Sequence, residues 1–301
     1  MSKTVKIWLI VAASLILVGA VIFVCAMTAL DWRLEEVSVF EYETCQFEIN
    51  DSYKNIVISV AMTDVELVAT DEAVCRVECR DIKNIEYSAE VVNDTLVIKS
   101  TDKRRWYERI GFGVMNGQGV TVYMPKGEYG NIEITSNTGG QKIPADFAFD
   151  SIALSANTGN ISCFASAAAD IKIKTGTGDI RLEDISARLV GLTVTTGRTH
   201  IKNVSCESFS SDGSTGIFEA NGLISAESIT VNRGTGDVKL NASDAPKITV
   251  ETGTGNVSGS LLTNKNFMVD TNTGRITVPQ TFSEQECRVT TTTGDIHFTI
   301  E

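Results

Sequence analysis

Two rhythms of apolar residues organise this chain. The first is an unbroken run from Ile7 to Leu30: 24 residues without a charge, with Ser14 and Thr28 as its only clearly polar side chains. Wound as a helix it would measure about 36 Å, enough to cross a bilayer core of roughly 30 Å with some tilt. The second rhythm begins near residue 126 and continues to the end. There apolar and polar residues alternate in short stretches, the period-two signature of a strand with one buried face.

A Thr-Gly pair punctuates this alternation. The glycines are Gly139, Gly159, Gly178, Gly197, Gly216, Gly236, Gly255, Gly274 and Gly294, spaced by 20, 19, 19, 19, 20, 19, 19 and 20 residues. Before them stand Thr138, Thr158, Thr177, Thr196, Thr215, Thr235, Thr254, Thr273 and Thr293. Seven and five residues ahead of each Gly the side chains are apolar, from Ile132/Ile134 to Cys287/Val289, with Ser211 the one plainly polar exception. Two and four residues after it, apolar residues return (Ile161/Cys163, Ile180/Leu182, Val238/Leu240), and the residue between them is polar. Each repeat therefore makes two short strands with a Thr-Gly turn between them. Neither strand can bury its apolar face alone, so successive repeats must stack.

An antiparallel hairpin array would also use such turns. Parallel stacking is preferred because like lies above like in almost every column, and crossovers between parallel strands are strongly biased to the right hand. The expected fold is all-β: a single-domain parallel β-solenoid, resembling a right-handed β-helix, with rungs of 19–20 residues following one transmembrane helix. Nine rungs at about 4.8 Å each would be roughly 43 Å long. Gly supplies the positive φ that a sharp corner demands, and the Thr column would line up nine hydroxyls, so the eighteen Thr-Gly residues are assigned as structural turns. Immediately after the Gly, neighbouring rungs pair Asp179 with Arg198 and Arg275 with Asp295. Acids diluted in this way by Asn and Arg argue for a structural corner over a calcium site.

The expected layout is a cytoplasmic tail (1–6), a membrane anchor (7–30), a linker (31–40), a less regular β region opening the solenoid (41–125) and the regular repeats (126–301). Candidate strands in the irregular region include 55–60, 64–69, 74–79, 84–92, 95–100 and 120–124, with Asn93-Asp94 as a hairpin turn. Lys103, Arg104, Arg105, Trp106, Tyr107 and Arg109 form its one basic and aromatic cluster, ahead of Gly111-Phe112-Gly113. That cluster is a candidate binding patch for an acidic polymer or a membrane surface; its plainer reading is a solvated hairpin tip. The chain stops at Glu301 without an obvious cap, leaving an edge open to self-association.

The anchor, the segment Val120-Thr121-Val122-Tyr123-Met124-Pro125 leading into Asn131-Ile132-Glu133-Ile134, and the Thr-Gly-Asp-Ile corners (Thr177–Ile180, Thr293–Ile296) resemble the bacterial putative adhesin family over roughly residues 40–301. The resemblance implies a β-solenoid and says little about activity. It also implies a second role, as an accessory of envelope-stress signalling.

Charge and chemistry refine this picture. Lys3 and Lys6 precede the apolar run and Asp31, Glu35 and Glu36 follow it, which places the N-terminus in the cytoplasm and the remainder outside a bacterial cell membrane. An uncleaved anchor is preferred to a signal peptide, whose apolar core is usually about 7–15 residues long. Outside the anchor, 24 basic residues face 38 acidic ones, a balance that repels nucleic acid. Six cysteines lie beyond the anchor. Cys75 and Cys79 are about 13 Å apart along one strand face, too far to bridge, while a bond from either to Cys45 stays open; Cys163, Cys206 and Cys287 read as buried thiols. No catalytic constellation, metal site or cofactor is expected. The two histidines, His200 and His297, would stand five rungs apart, about 24 Å. The expected function is therefore a non-catalytic adhesion or envelope scaffold module, taking wall polymer or an envelope protein as partner. The alternatives are the signalling accessory and, behind it, a carbohydrate-active enzyme using exposed acids such as Asp179 or Asp237.

Overall fold

In the computed structural model, which describes residues 2–29, 42–105 and 117–301, a helix and a single 23-stranded sheet account for most of the described residues. The helix α1 (Lys3–Ala29) is apolar all round and long enough to cross a membrane. From Ile7 onward its two polar side chains are satisfied internally: the Ser14 hydroxyl donates to the Ile10 carbonyl at 2.8 Å and that of Thr28 to Val24 at 3.0 Å. A helix in lipid needs such bonds, because lipid offers none.

The sheet is a parallel β-solenoid of about nine turns. Register is kept rung on rung: Ile152 pairs with Ile132 on one side and with Ile171 on the other, and Leu154 likewise with Ile134 and Ile173. The columns seven and five residues before each Gly are almost wholly buried, as are Ile161, Ile180, Phe218, Val238 and Val257 on the short strand after it. A third short side carries Ile185, Val204 and Leu223, stacked in register. One continuous apolar core fills the interior.

The Thr-Gly corner is sterically closed to any other residue. Each Gly has positive φ, +135° at Gly216 and +155° at Gly255. A Cβ built on Gly216 would lie 1.8 Å from the Gly197 carbonyl oxygen of the preceding rung. The Thr side chains are exposed, and the rungs are joined here through the backbone: Gly159 N–H donates to the Thr177 carbonyl at 2.8 Å and Gly178 N–H to that of Thr196 at 3.0 Å. The column after the Gly also departs from expectation. Its acids do not pair with arginine side chains; they accept from the backbone of the adjacent rung. Arg198 N–H reaches Asp179 Oδ1 at 2.7 Å and Arg275 N–H reaches Asp295 Oδ1 at 2.7 Å, while Asp179 N–H reaches Asn160 Oδ1 at 2.8 Å. Asp and Asn are interchangeable in this role, because both present an acceptor oxygen at the same place.

Stacking in chain order fails at both ends. The strand Glu286–Thr293 pairs with Lys247–Thr254 on one side and with Asn266–Thr273 on the other, so the last repeat is inserted beneath the one before it. The spatial end of the solenoid is thus Asn266–Thr277, where Ile276 is 43% exposed and Phe267, Val269 and Val278 are only partly covered. The residues around Glu301 are paired on one side only: Glu301 N–H donates to the Leu261 carbonyl at 3.0 Å, while the ladder to Ile276–Thr277 on the other side ends at His297. Buried Lys265 pins this order. Its ammonium contacts Asp244 and Gln285, whose segments enter the rungs of Lys247–Thr254 and Glu286–Thr293, and donates to Thr263 Oγ1 at 2.6 Å.

The same insertion occurs at the start. The first strands are β1 (Tyr42–Ile49), β2 (Asn55–Met62), β3 (Asp64–Thr70), β4 (Cys75–Ile82), β5 (Ile85–Val92), β6 (Thr95–Asp102), β7 (Gly119–Pro125), β8 (Gly127–Thr138) and β9 (Gln141–Ile143). The rung β2–β3 lies between β6–β7 and β8–β9, all parallel. Antiparallel strands then close this end: β5 on β6 through an Asn93-Asp94 turn with positive φ at both residues, β4 on β7, and β1 on β4.

Candidate functional site

The outward face of the long strand before each corner is the candidate binding surface. Its side chains lie six, four and two residues ahead of the Gly and are mainly hydroxyls, amides and glycines: Gly191/Thr193/Thr195, Ser210/Asp212/Ser214 and Thr230/Asn232/Gly234 in three successive rungs. Small residues lower the floor. Gly253 admits nothing larger, since an added Cβ would lie 2.6 Å from the Gly234 carbonyl oxygen.

Two open depressions result. One, of 360 Å³, runs from Glu133 past Lys172 and Lys174 to Thr193 and Asp212. The other, of 580 Å³, continues from Thr193 and Asp212 past Arg233 and Glu251 to Thr290 and Thr292. Because they share Thr193 and Asp212, they form one trough along the solenoid axis. Rungs about 4.8 Å apart repeat donors and acceptors along it at a regular step.

Arg233 is the unusual residue at the trough. It occupies the inward column three before the Gly, where Ala156, Thr175, Val194 and Thr252 stand in other rungs, and is 5% exposed. Gly213 in the adjacent rung makes room for it: a Cβ there would lie 2.8 Å from Arg233 Nη1. Its Nη2 donates to Ser211 Oγ at 2.9 Å and Thr199 Oγ1 at 3.1 Å, and its Nη1 to the carbonyls of Asn232 at 2.8 Å and Ser211 at 3.2 Å. The guanidinium lies over the Phe218 ring, 5.2 Å from its centroid. Burial pushes its pKa down to about 10, opposed by the Asp212 carboxylate, so it stays charged at neutral pH. Asp212 in turn accepts from Asn232 Nδ2 at 2.8 Å. Arg233 escaped the sequence reading, although its signal was present: Thr199, Ser211 and Gly213, three breaks in the apolar columns, fall in neighbouring rungs.

Two cations of the basic cluster, Lys103 and Arg104, are paired with carboxylates. Arg104 is 8% exposed and turned inward, with Nε and Nη2 on the two Asp102 carboxylate oxygens, each at 2.9 Å. Lys103 pairs with Glu86 at 2.5 Å. A carboxylate within reach draws each side chain back onto the protein. Arg105 is exposed, and Trp106, Tyr107 and Arg109 lie outside the described residues.

His200 and His297 stand four rung steps apart, about 19 Å, because the inserted repeat removes one step. His200 lies 3.6 Å from Glu183, away from the trough. Among the described residues no three His, Cys, Asp or Glu side chains converge as a metal site. The cysteines are free; Cys75, Cys79, Cys163, Cys206 and Cys287 are buried, and Cys45 is half-buried.

The profile described as Toastrack DUF4097 matches residues 53–245 and 223–300. Among solved structures, a putative adhesin from Bacteroides fragilis is 11% identical and aligns over 85% of this chain and 97% of its own, with a TM-score of 0.48. A putative lipid binding protein from Parabacteroides distasonis is 11% identical over 86% of this chain and 97% of its own, with a TM-score of 0.44. A putative adhesin from the same species is 12% identical over 86% and 98%, with a TM-score of 0.40. No curated protein matches the chain.

Proposed function

The chain belongs to the Toastrack DUF4097 family, and from that premise we propose that it is a non-catalytic binding module, held by α1 in a bacterial cell membrane with its solenoid outside. In this reading it takes an extended, hydroxyl-rich cell-wall polymer along the trough. The trough itself carries the proposal: a surface of hydroxyls, amides and glycines, with Lys172 and Lys174 beside Glu133 toward one end, Asp212 where the depressions join and Glu251 toward the other end. Such a surface offers many weak, regularly spaced hydrogen bonds and no enclosed pocket, which suits a polymer better than a small substrate. The lysines before α1 and the acids after it support the orientation. The excess of acidic residues disfavours nucleic acid as a partner. Self-association would use the terminal strand Asn266–Thr273, whose outer edge carries no further rung among the described residues.

The test is binding of the detergent-solubilised full chain to purified bacterial cell wall, with wall-depleted membranes as control. Saturable binding is expected. Thr193→Trp, placed where the two depressions join, should weaken it at least about tenfold without changing the unfolding midpoint. Unsaturable binding, or a Thr193→Trp variant that binds as the parent does, would overturn the reading.

A further inference from the structure

The six cysteines beyond the anchor are not equivalent. In the antiparallel pair β1–β4, Cys45 stands directly opposite Cys79. Opposed residues in such a pair project from the same face, with Cα atoms about 4.5–5.5 Å apart, inside the roughly 4.4–6.8 Å span of a disulfide. The remaining cysteines face no thiol across the ladder. Cys75 faces Ile49, Cys163 lies between Ile143 and Leu182, Cys206 between Ala187 and Ser225, and Cys287 between Ile248 and Phe267.

We infer that Cys45 and Cys79 are a cross-strand disulfide site, which ties the strand nearest the anchor to the end of the solenoid. Among the described residues the strand β1 has a single ladder partner, β4; half of its side chains are exposed and only Ile49 is fully buried. It is also the first described strand after α1, so a load on the anchor reaches the solenoid through it. The oxidant is a disulfide of the exchange class. Half-buried Cys45, as thiolate, attacks one sulfur of that disulfide and expels a thiolate. Cys79, as thiolate, then attacks the Cys45 sulfur of the mixed disulfide and expels the second. The protein gives up two electrons and two protons, and the oxidant leaves as two thiols. Persistence of the bond in cells rests on the proposed export, because the cytoplasm keeps thiols reduced.

The experiment equilibrates the detergent-solubilised full chain with oxidised glutathione, alkylates it, and maps the peptides by mass spectrometry. A Cys45–Cys79 linked peptide is expected, with the other cysteines alkylated. Hydrogen exchange in β1 should then be at least about tenfold slower than in the reduced protein. Cys45→Ser should abolish both the linked peptide and the slowing. If Cys45 and Cys79 stay as alkylatable as the remaining thiols, or link elsewhere, the inference is wrong. Alkylation in intact cells separates it from the export reading: a pair that bonds in glutathione but is fully reduced in cells upholds the site and overturns export.

Discussion

The middle and the ends of this solenoid use the same repeat under different rules. From Phe147 to Asn241 each rung stacks on its predecessor in chain order, and the contacts are column on column: Ile on Ile, Thr on Thr, Gly against the preceding Gly carbonyl. At both ends the chain instead runs to the outermost rung and returns, or begins one rung in and passes outward, so neighbours in space are not neighbours in sequence. The repeat columns tolerate either order, since one apolar rung covers another equally well. Order at the ends must come from residues outside the columns. Lys265 is the clearest case, contacting Asp244 and Gln285 in the approaches to the two rungs stacked next below its own. Asn55 does similar work at the start, its Oδ1 accepting from Asn131 N–H at 2.9 Å. A repetitive fold therefore specifies its rungs by pattern and its rung order by a few singular polar contacts.

The largest effect should come from one lesion placed in the two regions. Gly216→Ala drives a Cβ into the Gly197 carbonyl at a positive φ, with neighbours on both sides. Backbone strain and overpacking together should cost about 4 kcal/mol. In a nearest-neighbour stack the loss is felt by the whole middle, lowering the urea midpoint of the main transition. Gly274→Ala makes the same clash, against the Gly294 carbonyl, but in the terminal rung. It should release only Asn266–Thr277 to proteolysis and leave the main midpoint within error. Equal shifts in the two variants would erase the distinction between middle and end.

Lys265→Met comes next. It strands Asp244 and Gln285 and should cost about 3 kcal/mol, as breaking a buried ion pair does. The loss should appear as faster hydrogen exchange over residues 262–300 and unchanged exchange over 189–241. If both regions exchange faster together, the ends are not pinned separately.

How legible was this in the sequence? The nine Thr-Gly pairs and their flanking columns disclosed the rung, its corner and its buried positions, because those depend on residues close together in the chain. Rung order was not legible, since Cys287 and Val289 fit above Ile248 and Val250 as well as Phe267 and Val269 do. The trough was half legible: its outward columns could be read off, but its depth comes from close strand approach at Gly234 and Gly253. The pairing of Lys103 and Arg104 was not legible, because Glu86 and Asp102 look in sequence like ordinary solubilising residues.

Arg233 gives a smaller effect that sharpens the same contrast inside the middle. Gly213→Ala sets a Cβ against the guanidinium and should cost about 1–2 kcal/mol. In an Arg233→Ala background that cost should vanish, leaving only the loss from Ser211 and Thr199 without their donor. A double-mutant cycle by urea unfolding checks it; additive losses would show that Gly213 is kept for something other than room.

The smallest effect is one of sign, at the irregular end. Asp81 is 3% exposed, and burial is the main reason its carboxyl is raised above the usual range, against hydrogen bonds from Tyr87 and the Ile82 backbone. A carboxyl that holds its proton more tightly folded than unfolded favours the fold below its unfolded pKa, and that contribution fades as pH rises through the folded one. Stability of the β4–β5 end should therefore gain from Asp81 on acidification, opposite to the usual trend for paired surface carboxylates. Asp81→Asn, which cannot ionise, should flatten this component while the regular rungs keep their own pH dependence. Local hydrogen exchange of β4 and β5, measured across the acidic range in parent and variant, separates the two. If exchange in the parent speeds up on acidification as much as it does in Asp81→Asn, burial is not what governs this carboxyl, and the end of the solenoid titrates like its middle.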